Sequence, residues 1–355
     1  MIPTSYVVDV GQGSCNVIIT GKAPTGGNRA IIIDCGPRTP DVPMELLVNK
    51  DVAMVDALIV SHRDKDHRGG LEKVLGGYRN RIVRTFFTGG SDPKVNPAFR
   101  ILNGFYDHGF METNPLIPKG FAPTPIAFED PYCVYPDHSV PTQKSPSLFI
   151  IAPSRDEAED KSLVGKPNQT SAIVVFKNGS SRTVFPGDAT IPAWDSLFGR
   201  MGKRLRVDVM VVPHHGGLVH NPKKKDLERL YGEITQCEYA VVSAGTNNNQ
   251  GKKINPKSDH PREDVLEAIY NVGSKVVCTE MTANCSCLIH DELLKLRNRR
   301  TPLLPSFSKI DPNKVPCVGT ICMVMHPDKV EFVECMDIHD DNWKSQQATC
   351  CPTTP

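Results

Sequence analysis

Apolar residues in this chain come in short runs broken by polar and glycine-rich turns. Runs such as Ile31-Ile32-Ile33, Ala57-Leu58-Ile59-Val60 and Val209-Met210-Val211-Val212 are too short for buried helices and rich in branched side chains. Each therefore reads as a buried strand. Residues 5–20 and 29–35 predict a β-hairpin across the connection Pro24-Thr25-Gly26-Gly27-Asn28. Residues 41–50 predict a short helix, 55–61 a strand, Leu71 to Leu75 the start of a helix, and 81–87 another strand. Further strands are expected at 148–152, 171–176, 182–186, 207–212 and 239–243. Asp264 to Asn271 reads as a helix after the His260-Pro261 turn. The segment from about 90 to 147 is rich in Pro, Gly and aromatics with little clear period, and reads as an insertion or lid. Residues 318–326 and 329–334 predict a late hairpin, and beyond 340 the tail reads as loose. No internal repeat interrupts this pattern.

The strand at Ala57–Val60 runs directly into Ser61-His62-Arg63-Asp64-Lys65-Asp66-His67-Arg68-Gly69-Gly70. Two histidines and two carboxylates within six positions form a dense patch of charge and lone pairs. Burying such groups unpaired is costly, so folding alone does not favour them. Imidazole and carboxylate are ligands of zinc, manganese and iron, and a metal centre accounts for the pattern. His62, Asp64 and Asp66 share a parity and converge if the segment stays extended. His67 takes the next position as the chain begins to curl, and Gly69-Gly70 permits a tight turn.

This pattern resembles the metallo-β-lactamase superfamily. Asp64 in the third position is similar to the hydrolase domain of the ComEC/Rec2 DNA-uptake proteins. Other segments match in family order: Val8-Asp9-Val10-Gly11-Gln12-Gly13-Ser14, Ile31 to Gly36, Asn168-Gln169-Thr170-Ser171, Phe185-Pro186-Gly187-Asp188, Asp208 to Gly217, Val242-Ser243-Ala244-Gly245, and His260-Pro261. The resemblance implies an α/β fold, a four-layer αββα sandwich with metals at one edge of the two sheets. Residues 1–300 would form the hydrolase domain, with the insertion at about 90–147, and 301–355 a C-terminal extension.

The resemblance also implies roles. Two divalent ions, Mn2+ or Zn2+, are expected. His62 and Asp64 would hold one, Asp66 and His67 the other, with Asp188 as a bridging carboxylate. At least one of His214 and His215 would be a ligand, His214 slightly favoured, because neighbours in an extended strand point to opposite faces. Asp34 would orient a ligand histidine. Many superfamily members have a further histidine where this chain offers Asn168 and Ser171, which leaves the first metal's shell short of a ligand. Asp66 and His260 are the catalytic candidates, with His260 protonating a leaving oxygen or holding a phosphate. Asn168, Ser171, Ser243, Lys252 and Lys253 are candidate substrate contacts.

Composition narrows the function classes. The 355 residues can bury a large core, and the net charge of +1 provides no global field for nucleic acid. Basic residues are instead clustered at Lys203-Arg204-Leu205-Arg206, Lys223-Lys224-Lys225, Lys252-Lys253 with Lys257, and Leu294 to Arg300. Three of these clusters flank the expected active-site loops, which suits an anionic substrate. No apolar run is long enough for a membrane span, and the first residues lack a signal-peptide pattern. The 12 cysteines have poor spacing for a zinc ribbon. They read as reduced thiols in a cytoplasmic protein.

The leading expectation is a metal-dependent nuclease or phosphodiesterase, acting on DNA, RNA or a nucleotide through metal-activated hydroxide. Standalone relatives occur in bacterial stress and antiphage systems, which by analogy alone allows a defence role with a protein partner from a multi-gene system. One alternative is a hydrolase of small esters, lactams, thioesters or cyclic nucleotides. Another is a non-catalytic partner-binding domain, against which the intact ligand set argues.

Overall fold

A computed structural model of the chain describes residues 1–38, 41–79, 81–107, 123–126, 131–136, 145–163, 166–217, 222–246, 260–282, 302 and 304–333. Two sheets face each other. The first is built from β1 (Thr4–Val7), β2 (Asn16–Lys22), β3 (Asn28–Ile33), β4 (Val52–Val60), β5 (Thr85–Phe87) and β6 (Thr124–Pro125). The second comprises β7 (Tyr132–Tyr135), β8 (Ser147–Ala152), β9 (Ile173–Asn178), β10 (Ser181–Phe185), β11 (Val209–Val211), β12 (Tyr239–Val242) and β13 (Lys275–Cys278). A late hairpin, β14 (Ile321–Met325) and β15 (Val330–Phe332), returns to pair with β1. The strand orders are β15-β14-β1-β2-β3-β4-β5-β6 and β13-β12-β11-β10-β9-β8-β7.

Helices cover both outer faces and complete the αββα sandwich. On the first sheet lie α1 (Val42–Asn49), α2 (Lys65–Arg68), α3 (Leu71–Gly77) and α4 (Pro97–Asp107). After the small helix α5 (Arg155–Glu159), the second sheet carries α6 (Ile191–Met201), α7 (Lys224–Arg229) and α8 (Glu263–Asn271). The run Ile31-Ile32-Ile33 shows why the sheets are apolar on both sides. Ile31 and Ile33 face the second sheet, while Ile32 joins Leu46, Leu47, Leu71 and Val74 beneath the helices. Alternation along the strand delivers successive residues to opposite cores. In α8 the buried positions Val265, Leu266, Ala268 and Ile269 form one helical stripe, and in α6 Ala193, Trp194 and Leu197 do the same.

The parallel pairs matter most for function. β3, β4, β5 and β6 are mutually parallel, and so are β10, β11, β12 and β13. Parallel neighbours require crossovers, which α1, α3, α6, α7 and α8 supply. Their carboxyl ends therefore share an edge, where α/β sheets usually hold ligands.

Three expectations change. The stretch 5–20 is not one strand, because the chain turns at 8–15 and β1 and β2 pair antiparallel as separate strands; the hairpin is β2–β3. The 90–147 region is not uniformly irregular, since it provides α4, β6 on one sheet edge and β7 on the other. β13, missed in the sequence, is a four-residue strand that extends the parallel half of the second sheet. The stretches 108–122, 127–130 and 137–144, the basic run 294–300 and the tail beyond 340 lie outside the described residues.

Candidate metal centre

Turns following β1, β3, β4, β10, β11 and β12 bring their side chains together at the shared edge. Asp34, just after β3, sits in the left-handed region at φ 61°. Its carboxylate accepts from the Ser61 N–H and the Ser61 hydroxyl, both at 2.7 Å, and lies 2.7 Å from His67 Nδ1. This is the orienting contact expected of Asp34. Because the Ser61 hydroxyl donates to Asp34, it meets His62 Nδ1, 3.1 Å away, as an acceptor. His215 Nδ1 lies 2.9 Å from the Ser243 carbonyl. All three rings thus have an acceptor on the Nδ1 side, which assigns the proton there and turns the Nε2 lone pairs inward. Acceptors behind the ring are how metal-ligating histidines are held.

Four of the inward-facing residues are buried: His62, His67, Asp188 and His215. Asp188 Oδ1 lies 3.0 Å from His67 Nε2 and 3.8 Å from His215 Nε2. Asp188 Oδ2 lies 3.4 Å from His62 Nε2 and 3.7 Å from His214 Nε2. Asp66 Oδ2 is 3.5 Å from His215 Nε2, and Asp64 Oδ2 is 3.8 Å from His62 Nε2. Two compact groups result, His62-His67-Asp188 and Asp66-His67-His215, whose donor atoms all lie within 4.8 Å of one another. A zinc ion about 2.1 Å from each of its tetrahedral ligands would hold the donor atoms about 3.4 Å apart, close to several of the separations seen here. The groups therefore fit a divalent ion.

The electrostatics agree. His62 Nε2 and Asp188 Oδ1 are buried without a hydrogen-bond partner of good geometry. The Nε2 atoms of His67 and His215 face each other at 3.2 Å, a contact that an added proton on His67 bridges when no cation is bound. Burial alone would depress the His67 pKa, but the carboxylates of Asp188 and Asp34 outweigh it and hold it well above the ordinary range. Burial would raise the Asp188 carboxyl, yet His67 and His62 hold it well below the usual range. Asp66 is likewise lowered against the pull of burial, through its bond to His215 and the charge of His67. The cluster is thus a ready seat for a cation. Imidazole and carboxylate donors without a thiolate suit zinc or manganese.

Several placements differ from the sequence reading. Parity does not bring His62, Asp64 and Asp66 together, because the chain curls into α2 immediately after Asp64. Asp64 stands off, with 47% of its side chain exposed, while His67 belongs to both groups. His215, not the favoured His214, completes a compact group. The pair is not an extended strand end; both residues are left-handed, at φ 51° and 55°. The Ser171 hydroxyl accepts from the Asp188 N–H at 3.0 Å and donates to the Pro186 carbonyl, so it supports the Asp188 turn rather than a substrate. The Ser243 hydroxyl donates to the Gly13 carbonyl at 2.8 Å, so Ser243 braces His215 and the first loop. Asn168 is half-buried in a short 3-10 turn. The His260 ring lies edge-on to His214 with centroids 5.0 Å apart. Lys224 pairs with Glu267 on the outer helix layer. Lys252, Lys253 and Lys257 lie outside the described residues.

The residue missed by sequence reasoning is Ser61. Its position between the β4 apolar run and His62 was the available signal, but a serine there reads as an ordinary strand end. Its hydroxyl touches Asp34, His62 and His67, so Ser61→Ala loosens two ligand rings at once. Metal affinity of that variant is expected to fall about 10–100-fold, measured by competition with a chromogenic chelator. An unchanged affinity would remove Ser61 from the site.

Residues 8–85 match the model of the metallo-beta-lactamase superfamily. Recombination protein 2 of Haemophilus influenzae is 22% identical over 328 residues, covering 85% of this chain and 31% of that protein. ComE operon protein 3 of Bacillus subtilis is 22% identical over 294 residues, covering 77% of this chain and 31% of that protein. The chain thus spans about a third of the length of these curated relatives. Among solved structures, Igni18, a metallo hydrolase from the archaeon Ignicoccus hospitalis, aligns with a TM-score of 0.44 at 13% identity, covering 77% of this chain and 94% of that one.

Proposed function

We propose that this chain is a metal-dependent hydrolase of the metallo-beta-lactamase superfamily and that it cleaves phosphodiester bonds, as a nuclease or phosphodiesterase with DNA the favoured substrate. The observation that carries the reading is the pair of ligand groups set around one buried carboxylate, Asp188. Two bound divalent ions, manganese or zinc, would activate water and stabilise the attacking and leaving oxygens of an in-line displacement.

The chain's own residues supply the rest. His62, His67, His215, Asp66 and Asp188 would hold the ions, with their rings braced by Asp34, Ser61 and the Ser243 carbonyl. Asp66 remains ionised at neutral pH, and its side chain is only partly buried. His260 stands at the rim beside His214, where it can protonate a leaving oxygen or hold a phosphate. Arg63, which follows His62, lines a cleft of about 90 Å³ with Thr88, Val95, Leu163, Pro167 and Thr170. Its guanidinium donates to the Val95 carbonyl at 3.1 Å. Similarity to Recombination protein 2 of Haemophilus influenzae supports nucleic acid over a small ester or lactam. A defence role with a protein partner rests on analogy between standalone relatives.

The test incubates the protein, with Mn2+ and separately with Zn2+, with plasmid, single-stranded DNA, RNA, a cyclic mononucleotide and bis-p-nitrophenyl phosphate. Asp66→Ala runs in parallel. Cleavage by the wild type and its loss in the variant are expected. No cleavage of any substrate, or a variant as active as the wild type, defeats the phosphodiesterase reading.

A further inference from the structure

Away from the metal centre, a groove of about 390 Å³ runs over β8, β9 and β10 beside the carboxyl end of α6. Phe149 and Val175 are cross-strand partners on β8 and β9 and line it together. Met201, at the end of α6, and Leu205 add apolar wall. Phe149, Val175 and Met201 are only partly buried, so water meets apolar surface there. An apolar surface of this kind marks a place where something else binds.

Lys177 and Arg182 also line the groove, and they are directly opposed on β9 and β10. Opposed residues of an antiparallel pair emerge on the same face, where two like charges repel. An occupant with both apolar and acidic side chains would cover the one surface and relieve the other.

The chain itself leads such a segment toward the groove. The turn between β14 and β15 touches the turn between β9 and β10. The Ser180 N–H donates to the Pro327 carbonyl at 2.7 Å, and the Asn178 side-chain amide donates to the Met325 carbonyl at 2.6 Å. Asn178 is the neighbour of Lys177 in sequence. At the end of β15 the Phe332 ring packs on Tyr239 of β12, with centroids 4.7 Å apart. Residues 334–343 follow, reading Glu-Cys-Met-Asp-Ile-His-Asp-Asp-Asn-Trp. They carry the carboxylates of Glu334, Asp337, Asp340 and Asp341, no lysine or arginine, and the apolar side chains of Met336, Ile338 and Trp343. From β12 to β9 is three places in the strand order, about 15 Å at about 4.8 Å per strand. Ten residues reach about 33 Å when extended, so the segment is long enough.

We propose that residues 334–343 dock in this groove, with their carboxylates toward Lys177 and Arg182 and their apolar side chains on Phe149, Val175 and Met201. The C-terminal extension then grips both sheets. It adds β14 and β15 to the first and lays its following segment over the outer face of the second.

Hydrogen–deuterium exchange of the full chain, read by mass spectrometry on peptides within 334–343, tests the docking. Quenching by acrylamide reads Trp343 on the same samples, with the Trp343→Phe chain subtracted to remove the buried Trp194. Three variants are compared with the wild type, each checked by circular dichroism. The first reverses the groove, Lys177→Glu with Arg182→Glu. The second reverses the segment, Asp337→Lys with Asp340→Lys and Asp341→Lys. The third combines both. The wild-type segment is expected to be protected, and either reversal alone to lower its protection by about tenfold and expose Trp343. The combined variant is expected to recover protection, because the charges are again opposite. Exchange of the wild-type segment at the rate of an unfolded peptide overturns the proposal. So does protection that neither reversal changes, and the segment reversal supplies that result even if the groove reversal fails to fold. Protection that appears only as protein concentration rises, with a dimer in sedimentation, gives the groove to a second copy and overturns docking within one chain.

Discussion

Asp188→Asn is expected to lower hydrolysis by about a thousandfold or more, equivalent to roughly 4 kcal/mol of transition-state stabilisation. The substitution preserves shape but removes the charge that faces His62 and His214 on one oxygen and His67 and His215 on the other. An amide presents one acceptor and one donor group, so it cannot serve two cations at once. The loss should appear in kcat and in metal content together, because the same carboxylate touches both groups. Steady-state rates on bis-p-nitrophenyl phosphate, alongside elemental analysis, provide the check. A variant that keeps its metal and loses less than tenfold in rate places the bridge elsewhere. Without metal the variant should also lose stability, because the buried His67 ring is left without one of the carboxylates that hold its proton, and breaking one side of a buried pair is costly.

Gly187→Ala is the second large effect, and it acts on folding. Gly187 immediately precedes Asp188 at φ 53°, a conformation that disfavours any Cβ. A Cβ there would lie 2.4 Å from the Ser171 hydroxyl oxygen and 2.6 Å from that of Ser61. Backbone strain and crowding together are expected to destabilise the protein by roughly 2–4 kcal/mol. The displaced hydroxyls are those that hold the Asp188 turn and the His62 and His67 rings, so metal affinity should fall as well. Gly199→Ala is the control. Gly199 lies within α6 with nothing near its missing Cβ, so alanine there should stabilise by about 0.5–1 kcal/mol. Urea unfolding of both variants without metal measures the difference. Equal midpoints would show that the Asp188 turn tolerates a side chain.

Much of the candidate site could be read along the chain. His62, Asp66 and His67 announced themselves because they sit together after an apolar strand. Asp188 and Asp34 were expected only through the family resemblance of the segments Phe185-Pro186-Gly187-Asp188 and Ile31 to Gly36. These are local signals, and strand ends are where local pattern is most informative. The failures came where the backbone leaves regular geometry. Parity arguments assume an extended chain, but α2 begins at Lys65 and His214 and His215 are left-handed. Ser171 and Ser243 looked like substrate contacts because hydroxyls are versatile. Their partners, the Asp188 N–H and the Gly13 carbonyl, lie far off in sequence.

Sequence alone determined which residue types could hold a metal and the strands that carry them. Those follow from periodicity and from the high cost of burying unpaired charge. Only the tertiary structure decided how the ligands are shared. Turns from both sheets meet because parallel strands send their carboxyl ends to one edge, and packing of the sheets sets the distances across it. Which oxygen of Asp188 each histidine faces depends on those distances and on two strained φ angles. Neither is written in any local stretch of the chain.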